Sequence, residues 1–129
     1  MKTVSINTPR EGFIDITNYI KEALRESKTQ NGVCLIFVPH TTAGVTINEN
    51  ADPDVVNDML MAFDKLIPAL NFRHGEGNSP AHIKSSIVGC SLNVIIEDGK
   101  LLLGTWQGIY FCEFDGPRTR KFYMHFQKN

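Results

Sequence analysis

The feature that most constrains this sequence is a series of apolar, strand-length segments in its last third. The segments are Leu92–Glu97, Leu101–Trp106, Ile109–Phe114 and Lys121–Phe126. Asp98-Gly99-Lys100 separates the first two and is a hairpin signal, while Asp115-Gly116-Pro117 precedes the last. Apolar side chains alternate through residues 122–126, as in a strand with one buried face. The series predicts a C-terminal antiparallel meander.

Two segments of the first half have helical spacing. The apolar residues of the first recur every three or four positions: Ile16, Tyr19, Ile20, Ala23 and Leu24. Asp15 or Thr17 is its expected cap. The second begins at Asp52-Pro53, a capping residue before a proline, and ends before Pro68. Its apolar stripe consists of Val56, Met59, Leu60, Phe63 and Ile67.

Strands are expected at Thr3–Asn7 and at Val33–Val38, and the unbroken apolar run of the latter indicates burial on both faces. Arg73–Pro80 is rich in Gly, Asn and Ser and reads as a loop. The order β-α-β-β-α followed by a meander predicts an α+β fold, β-rich, with two helices packed on it. A length of 129 residues fits a single domain spanning 1–129.

Charge and composition exclude several classes of protein. Thirteen basic and fourteen acidic residues give a net charge of −1, which argues against general binding of nucleic acid or anionic membranes. No apolar run approaches the roughly 18 residues that span a bilayer, and the N-terminus lacks a secretion signal. The three cysteines, Cys34, Cys90 and Cys112, are widely separated and form no C-x-x-C pair. We therefore expect a cytoplasmic protein with free thiols.

Three of the four histidines fall at loop-like positions. His40 follows the buried strand, and His74 and His82 bracket the Gly-rich stretch. Three neutral imidazoles with an open fourth position are a known zinc arrangement, in which bound water ionises near pH 7. Their spacing matches no short metal motif, so scattered surface histidines remain an alternative reading of the pattern.

Candidate anion-binding groups follow the same loop. Gly75 and Gly77 allow backbone N–H groups to converge, and Lys84, Ser85 and Ser86 come soon after His82. The spacing is not that of a P-loop. Arg118, directly after a proline, is the cation best placed for a bidentate phosphate contact, with a solvated turn as the alternative. Glu49, in the polar segment after His40, is a candidate general base or a partner of a metal ligand.

Three segments together resemble the YjbQ-like family. They are PHTTAGVTINENADPDV (39–55), HGEGNSPAHIKSS (74–86) and LGTWQGIYFCEFDGPRTRK (103–121). The resemblance covers almost the whole chain. It implies a cytoplasmic α+β protein that forms homotrimers and has secondary thiamine-phosphate synthase activity. It also implies that His40, His74 and His82 form a metal site.

That activity joins a pyrimidine-methyl diphosphate to a thiazole phosphate and releases pyrophosphate. The step needs neutralisation of charge on the leaving group more than it needs a strong base. Lys84, Arg118 and a His-ligated cation are candidates for that task, and three imidazoles favour Zn²⁺ over Mg²⁺. Two other functions stay open: a metal-dependent hydrolase using Zn-bound water, and a non-catalytic binder of a small phosphorylated or anionic molecule.

Overall fold

Antiparallel pairing organises eight strands into two sheets, to which three helices are added. The computed structural model describes residues 1–129. The strands are β1 (Lys2–Asn7), β2 (Gly12–Asp15), β3 (Gly32–Phe37), β4 (Ala43–Glu49), β5 (Ser91–Glu97), β6 (Lys100–Leu101), β7 (Gln107–Glu113) and β8 (Thr119–Lys128). The helices are α1 (Thr17–Ser27), α2 (Pro53–Leu66) and α3 (Ser79–Val88). The predicted α+β class is confirmed.

The two sheets face each other across one apolar core. The large sheet has the order β1-β8-β3-β5-β6 and the small sheet the order β2-β7-β4. Phe111 of β7 and Phe122 of β8 meet between them, with ring centroids 6.2 Å apart and no exposed surface. Ile20 and Leu24 of α1 join the same core, which makes this helix part of the sandwich.

The strand order differs from the predicted meander. Only β5 and β6 pair as consecutive neighbours, because β7 belongs to the small sheet and β8 lies between β1 and β3. The predicted strand Leu101–Trp106 is also wrong beyond Leu101. There Gln107 N–H donates to the Gly104 carbonyl at 3.1 Å, closing a turn that ends the pairing. The apolar pattern identified strand-like segments but carried no information about their partners.

The predicted burial of Val33–Val38 on both faces is also wrong within the chain. Cys34 and Ile36 have no exposed surface, whereas Leu35 and Phe37 are 39% and 38% exposed. The inward side chains contact the core, and the outward ones lie on the uncovered face of the large sheet.

Two helices occur where the sequence predicts them, and a third was missed. Asp15 Oδ1 accepts the Thr17 N–H at 2.9 Å at the start of α1, and Asp52 Oδ1 accepts the Asp54 N–H at 2.9 Å at the start of α2. No residue of α2 is fully buried, so its predicted core stripe is only half-covered. The additional helix α3 begins inside the segment predicted as a loop. No helix is long and apolar enough to cross a membrane.

Candidate functional site

A polar cleft opens where β3 leads into β4, where α3 begins and where the chain enters β8. Its volume is about 330 Å³, and none of its lining residues has a large apolar side chain. The lining residues are Pro39, His40, Thr41, Thr42, Glu76, Asn78, His82, Asp115, Arg118 and Arg120. We call this the histidine cleft. It brings together three segments that are distant in sequence.

His40 is held by the backbone of β8. Its Nε2 lies 3.1 Å from both the N–H nitrogen and the carbonyl oxygen of Lys121. Burial lowers the pKa of His40 below its ordinary value and the charge of Arg120 adds to this, so the imidazole is neutral at pH 7. When Nε2 carries the proton and donates to the carbonyl, Nδ1 is left as a free acceptor. This tautomer is the one that can ligate a metal through Nδ1.

His74 and His82 form a close pair at the base of α3. Their ring centroids are 5.6 Å apart and the rings meet edge to face. His82 shares the histidine cleft with His40. No group of three or more His, Cys, Asp or Glu side chains lies close enough within the chain to hold a metal ion. The donor chemistry suits a transition metal at the His74–His82 pair, but the three-histidine convergence is not formed in the single chain.

The two arginines of the cleft have different surroundings. Arg118 is half-exposed, its Nη2 lies 2.9 Å from Asp115 Oδ2, and its Nε donates to the Asp115 carbonyl at 2.6 Å. Arg120 is buried and makes a two-pronged ion pair with Glu113, with N–O distances of 2.7 and 2.6 Å. Its Nη2 also donates to Thr42 Oγ1 at 2.7 Å. Arg120 therefore fixes one wall, whereas the Arg118 side chain is half-exposed and is held through Asp115 alone.

Glu113 anchors this wall from behind. It has no exposed surface and accepts hydrogen bonds from Arg120, from Thr8 Oγ1 at 2.6 Å and from the Asp115 N–H at 3.0 Å. Burial alone raises the pKa of a carboxyl, but the hydrogen bonds and charge of Arg120, with those other donors, lower the pKa of Glu113 below its ordinary value. The group is a carboxylate at neutral pH and holds Arg120 in place.

Lys84 does not line the histidine cleft, but it lines a neighbouring cleft of about 220 Å³ together with Gly77. Lys84 is buried and paired with Asp64 at 2.5 Å and Glu11 at 3.5 Å, outside the histidine cleft. Ser85 Oγ donates to the Ala43 carbonyl and Ser86 Oγ to the His82 carbonyl. These three residues lie on α3, and the helix directs the Lys84 side chain towards α2 and the Ser85 side chain towards β4. Gly75 and Gly77 stay in an open loop, with no atom near the position of an added Cβ.

Glu49 lies at the other end of β4 from the cleft. Ala43 begins this strand beside the cleft, and six further residues at roughly 3.3 Å each put Glu49 about 20 Å away. There its backbone carbonyl accepts the hydroxyl of Tyr110 at 3.0 Å. The structure does not place Glu49 beside the histidines of its own chain, and its catalytic role stays a prediction.

Sequence reasoning missed Asn78 and Asp115. Asn78 Nδ2 donates to Asp115 Oδ2 at 2.9 Å, while Asn78 Oδ1 is buried without a hydrogen-bond partner. Such an orphaned oxygen is a place for a ligand donor or a cation. The signal in the sequence was Asn78-Ser79-Pro80, a helix start that would have put this asparagine at the head of α3.

The charges that line the cleft balance formally. Arg118 and Arg120 face Glu76 and Asp115, and the two histidines are counted as neutral. An anion therefore gains little from the cleft unless a cation is added to it.

Comparison with known proteins assigns the chain to a family. The description "UPF0047 protein YjbQ-like" matches residues 2–129. The chain belongs to this family. Among the relatives of this YjbQ-like chain, the UPF0047 protein YugU of Bacillus subtilis is 58% identical over 127 residues, which are 96% of each chain. A UPF0047 protein of Methanocaldococcus jannaschii is 63% identical over 116 residues, 89% of this chain and 84% of that one.

Solved structures of YjbQ-like proteins share the fold closely. An uncharacterized conserved protein of the YjbQ/UPF0047 family from Clostridium acetobutylicum is 54% identical, with a TM-score of 0.96 over 98% of this chain and 100% of that one. A protein of unknown function from Sulfolobus solfataricus keeps a TM-score of 0.94 at 28% identity, over 99% and 96% of the two chains. These comparisons establish family and fold, and their names assign no reaction.

Proposed function

We propose that the histidine cleft binds a small phosphate-bearing molecule together with a divalent transition metal, and that the protein is a transferase of the thiamine-phosphate synthase type. The observation that carries the proposal is a wholly polar cleft containing His40, His82 and Arg118. Imidazole and guanidinium are the side chains suited to a transition metal and to a phosphate respectively.

The charge balance supports a metal in addition to the arginines. Two cations and two carboxylates in the lining leave no net positive charge for a phosphate. Zn²⁺ is the metal that imidazole ligands favour here, with His74 and His82 as the adjacent pair and His40 as the third ligand. It would supply the positive charge that a pyrophosphate leaving group needs.

Arg118 is the residue that we expect to orient the phosphate. Its half-exposed guanidinium can exchange Asp115 for a phosphate, whereas Arg120 is fixed by Glu113. The neighbouring Asn78 carries an unpaired amide oxygen that can accept a donor of the ligand. In the proposed reaction the thiazole nitrogen attacks the methylene carbon and pyrophosphate leaves with the bonding electron pair.

A non-catalytic binder is the second candidate function. The observation in its favour is that Glu49 and Lys84 lie away from the histidine cleft, and that Asp115 is already engaged by Asn78 and Arg118. Binding of an anion requires neither Glu49 nor Lys84, because Arg118 and Arg120 already line the cleft. The hydrolase alternative needs only Zn-bound water and is separated from the others by its product.

Assembly and location complete the proposal. We expect the chains to associate, because the outer face of the large sheet exposes apolar side chains such as Leu35 and Phe37. The family resemblance implies that the assembly is a homotrimer. A cytoplasmic location fits three free cysteines, of which Cys34 and Cys112 are buried.

Metal content tests the metal-binding part of the proposal. The wild type and the His74→Ala and His82→Ala variants are loaded with Zn²⁺, desalted and measured by elemental analysis. The control is Lys65→Ala, which removes an exposed side chain outside the cleft. We expect the control to keep its metal and the other two to lose it. Equal metal content in all four proteins would contradict the proposal.

Product analysis tests the reaction. The Zn-loaded protein is incubated with the pyrimidine-methyl diphosphate and the thiazole phosphate, and products are separated by chromatography. Thiamine phosphate with an equal amount of pyrophosphate supports the transferase. Free pyrimidine alcohol supports the hydrolase, and saturable binding without any product supports the non-catalytic binder.

A further inference from the structure

A second cleft lies on a different part of the surface, between α1 and the β5–β6 turn. Its volume is about 680 Å³, and it shares no residue with the histidine cleft. It is lined by Lys21, Leu24, Arg25, Lys28, Thr29, Gln30, Gly99, Lys100 and Leu101. We call it the basic cleft, because four of these nine residues are cations and none is a carboxylate.

The cations of the basic cleft have almost no carboxylate partners. Arg25 lies 3.8 Å from Glu22, in a pair exposed to water on both sides. Lys21, Lys28 and Lys100 have no carboxylate within ion-pair distance in a chain whose net charge is −1. Four like charges around one concavity repel one another, and an anion placed among them relieves that repulsion.

Stabilisation of the helix end explains only part of this cluster. Arg25 and Lys28 lie at the C-terminus of α1, where cations complement exposed carbonyl groups. Lys100 belongs to a different element, β6, and still faces the same cleft. Lys28 also has a φ of 56°, a left-handed conformation that favours glycine at a helix end. The backbone N–H of Lys28 donates to the Arg25 carbonyl at 3.2 Å, so this cap holds Lys28 beside the cleft.

The walls of the basic cleft are joined to each other and its floor is apolar. The Gly99 N–H of the turn donates to the Gln30 carbonyl at 2.8 Å, which ties the turn to the end of α1. Leu101 is half-buried and offers an apolar surface beside the cations, whereas Leu24 is 3% exposed and belongs to the core below them. Small-molecule sites of roughly 300–1,000 Å³ commonly combine such a floor with a few charged groups.

We propose that the basic cleft binds a small organic molecule that carries two or more phosphate groups. The phosphates lie among Lys28, Lys100 and Arg25, and the organic part of the molecule contacts Leu101. This site is independent of the metal and of the histidine cleft.

Calorimetric titration with ADP, in the presence of EDTA, tests the proposal on the full chain. Pyrophosphate and adenosine are titrated separately as the two fragments of the probe. We expect ADP to bind more tightly than pyrophosphate and adenosine to bind weakest. The double variant Lys28→Gln/Lys100→Gln should lose about tenfold or more in ADP affinity, since two charge-assisted contacts are removed. All of these lysines are exposed, so the fold is kept.

The matched control is Lys65→Gln/Lys128→Gln, which removes the same charge from exposed positions outside the basic cleft. It should retain wild-type affinity within about twofold. Amide chemical shifts locate the bound ADP, and changes are expected at residues 28–30 and 99–101. No saturable ADP binding, equal losses in both double variants, or shift changes confined to the histidine cleft would each overturn the proposal. Because EDTA removes the metal, failure here leaves the proposed function of the histidine cleft unaffected.

Discussion

Arg118 and Arg120 are two positions apart in the sequence, but they differ in burial and in the carboxylate that each one contacts. Arg120 is 5% exposed and locked to a carboxylate that has no exposed surface. Arg118 is 51% exposed and is held by one neighbouring aspartate. Exposed pairs of this kind contribute under about 1 kcal/mol, so a phosphate can compete for the Arg118 guanidinium.

Replacing Arg118 by alanine should therefore weaken phosphate binding without loss of stability. Charge-assisted hydrogen bonds contribute roughly 1.5–3 kcal/mol, which corresponds to about 10- to 100-fold in affinity. Titration of pyrophosphate into Zn-loaded wild type and Arg118→Ala measures the change, with metal content matched. Lys65→Ala, a cation outside the histidine cleft, is the control. Equal affinities of wild type and Arg118→Ala would make Arg118 a surface residue.

We expect Glu113 to contribute strongly to the free energy of unfolding, and we expect this contribution to depend on pH. Its folded-state pKa lies below the ordinary 4.5, so its contribution is complete above pH 4.5 and is lost as pH falls through the folded-state value. Glu113→Gln leaves Arg120 buried without its counter-charge, which costs about 3–5 kcal/mol at pH 7. Urea unfolding from pH 7 down to pH 3 should show the gap between wild type and variant closing below pH 4.5. A gap that is constant over this range would contradict the assignment.

At the scale of elements, α3 shows why part of the site was not predictable from the sequence. Periodicity identified α1 and α2 because their apolar residues recur with helical spacing. The buried residues of α3 are Ala81, Lys84 and Ser85, so its inner face is mostly polar and the apolar pattern disappears. A helix whose buried face is polar lacks the apolar periodicity that predicts a helix. Lys84 was therefore expected to face a ligand.

Long-range pairing was the other missing information. The strand-like character of β1 and β8 is local, but their pairing joins Lys2 to Met124 across almost the whole chain. The positions of His40, His74 and His82 at segment ends follow from local pattern, and the adjacency of His74 and His82 fits that expectation. The distance of Glu49 from them depends on the length of β4, which continues through the polar segment after His40 as far as Glu49.

Gly44 controls how α3 docks on β4, and through it the position of His82. A Cβ added at Gly44 would lie 2.5 Å from the Gly89 carbonyl oxygen and 3.1 Å from a methyl group of Val88. Gly44→Ala therefore forces the end of α3 away from the strand, at a cost of about 1–3 kcal/mol in the free energy of unfolding.

Urea unfolding and Zn²⁺ content check this prediction together. Gly75→Ala is the matched control, because an added Cβ there meets no atom within 4 Å. The control should be within about 0.5 kcal/mol of wild type and should keep its metal. Equal stability of the two alanine variants would show that α3 does not depend on the close approach at Gly44.

At the scale of the whole molecule, the uncovered face of the large sheet is the feature that the single chain leaves unexplained. Leu35 and Phe37 of β3 lie on this face, together with Ile95 of β5, which is 58% exposed. The Phe37 ring stacks on that of Tyr123 from β8, with centroids 6.3 Å apart. Contiguous apolar surface of this kind is typical of an interface between protein chains.

We therefore expect sedimentation to give an assembly of three 14.5 kDa chains, the number three resting on the family resemblance. Leu35→Asp and Phe37→Asp place a charge in the apolar interface and should raise the dissociation constant about tenfold or more. Met61→Asp is the control, because Met61 is 56% exposed on α2 and lies away from the sheet. Circular dichroism should show the same secondary structure in all variants, since these side chains point away from the core. A wild-type monomer at micromolar concentration would mean that no surface joins the chains. An assembly that is unchanged by Phe37→Asp as well as by Met61→Asp would mean that another surface joins them.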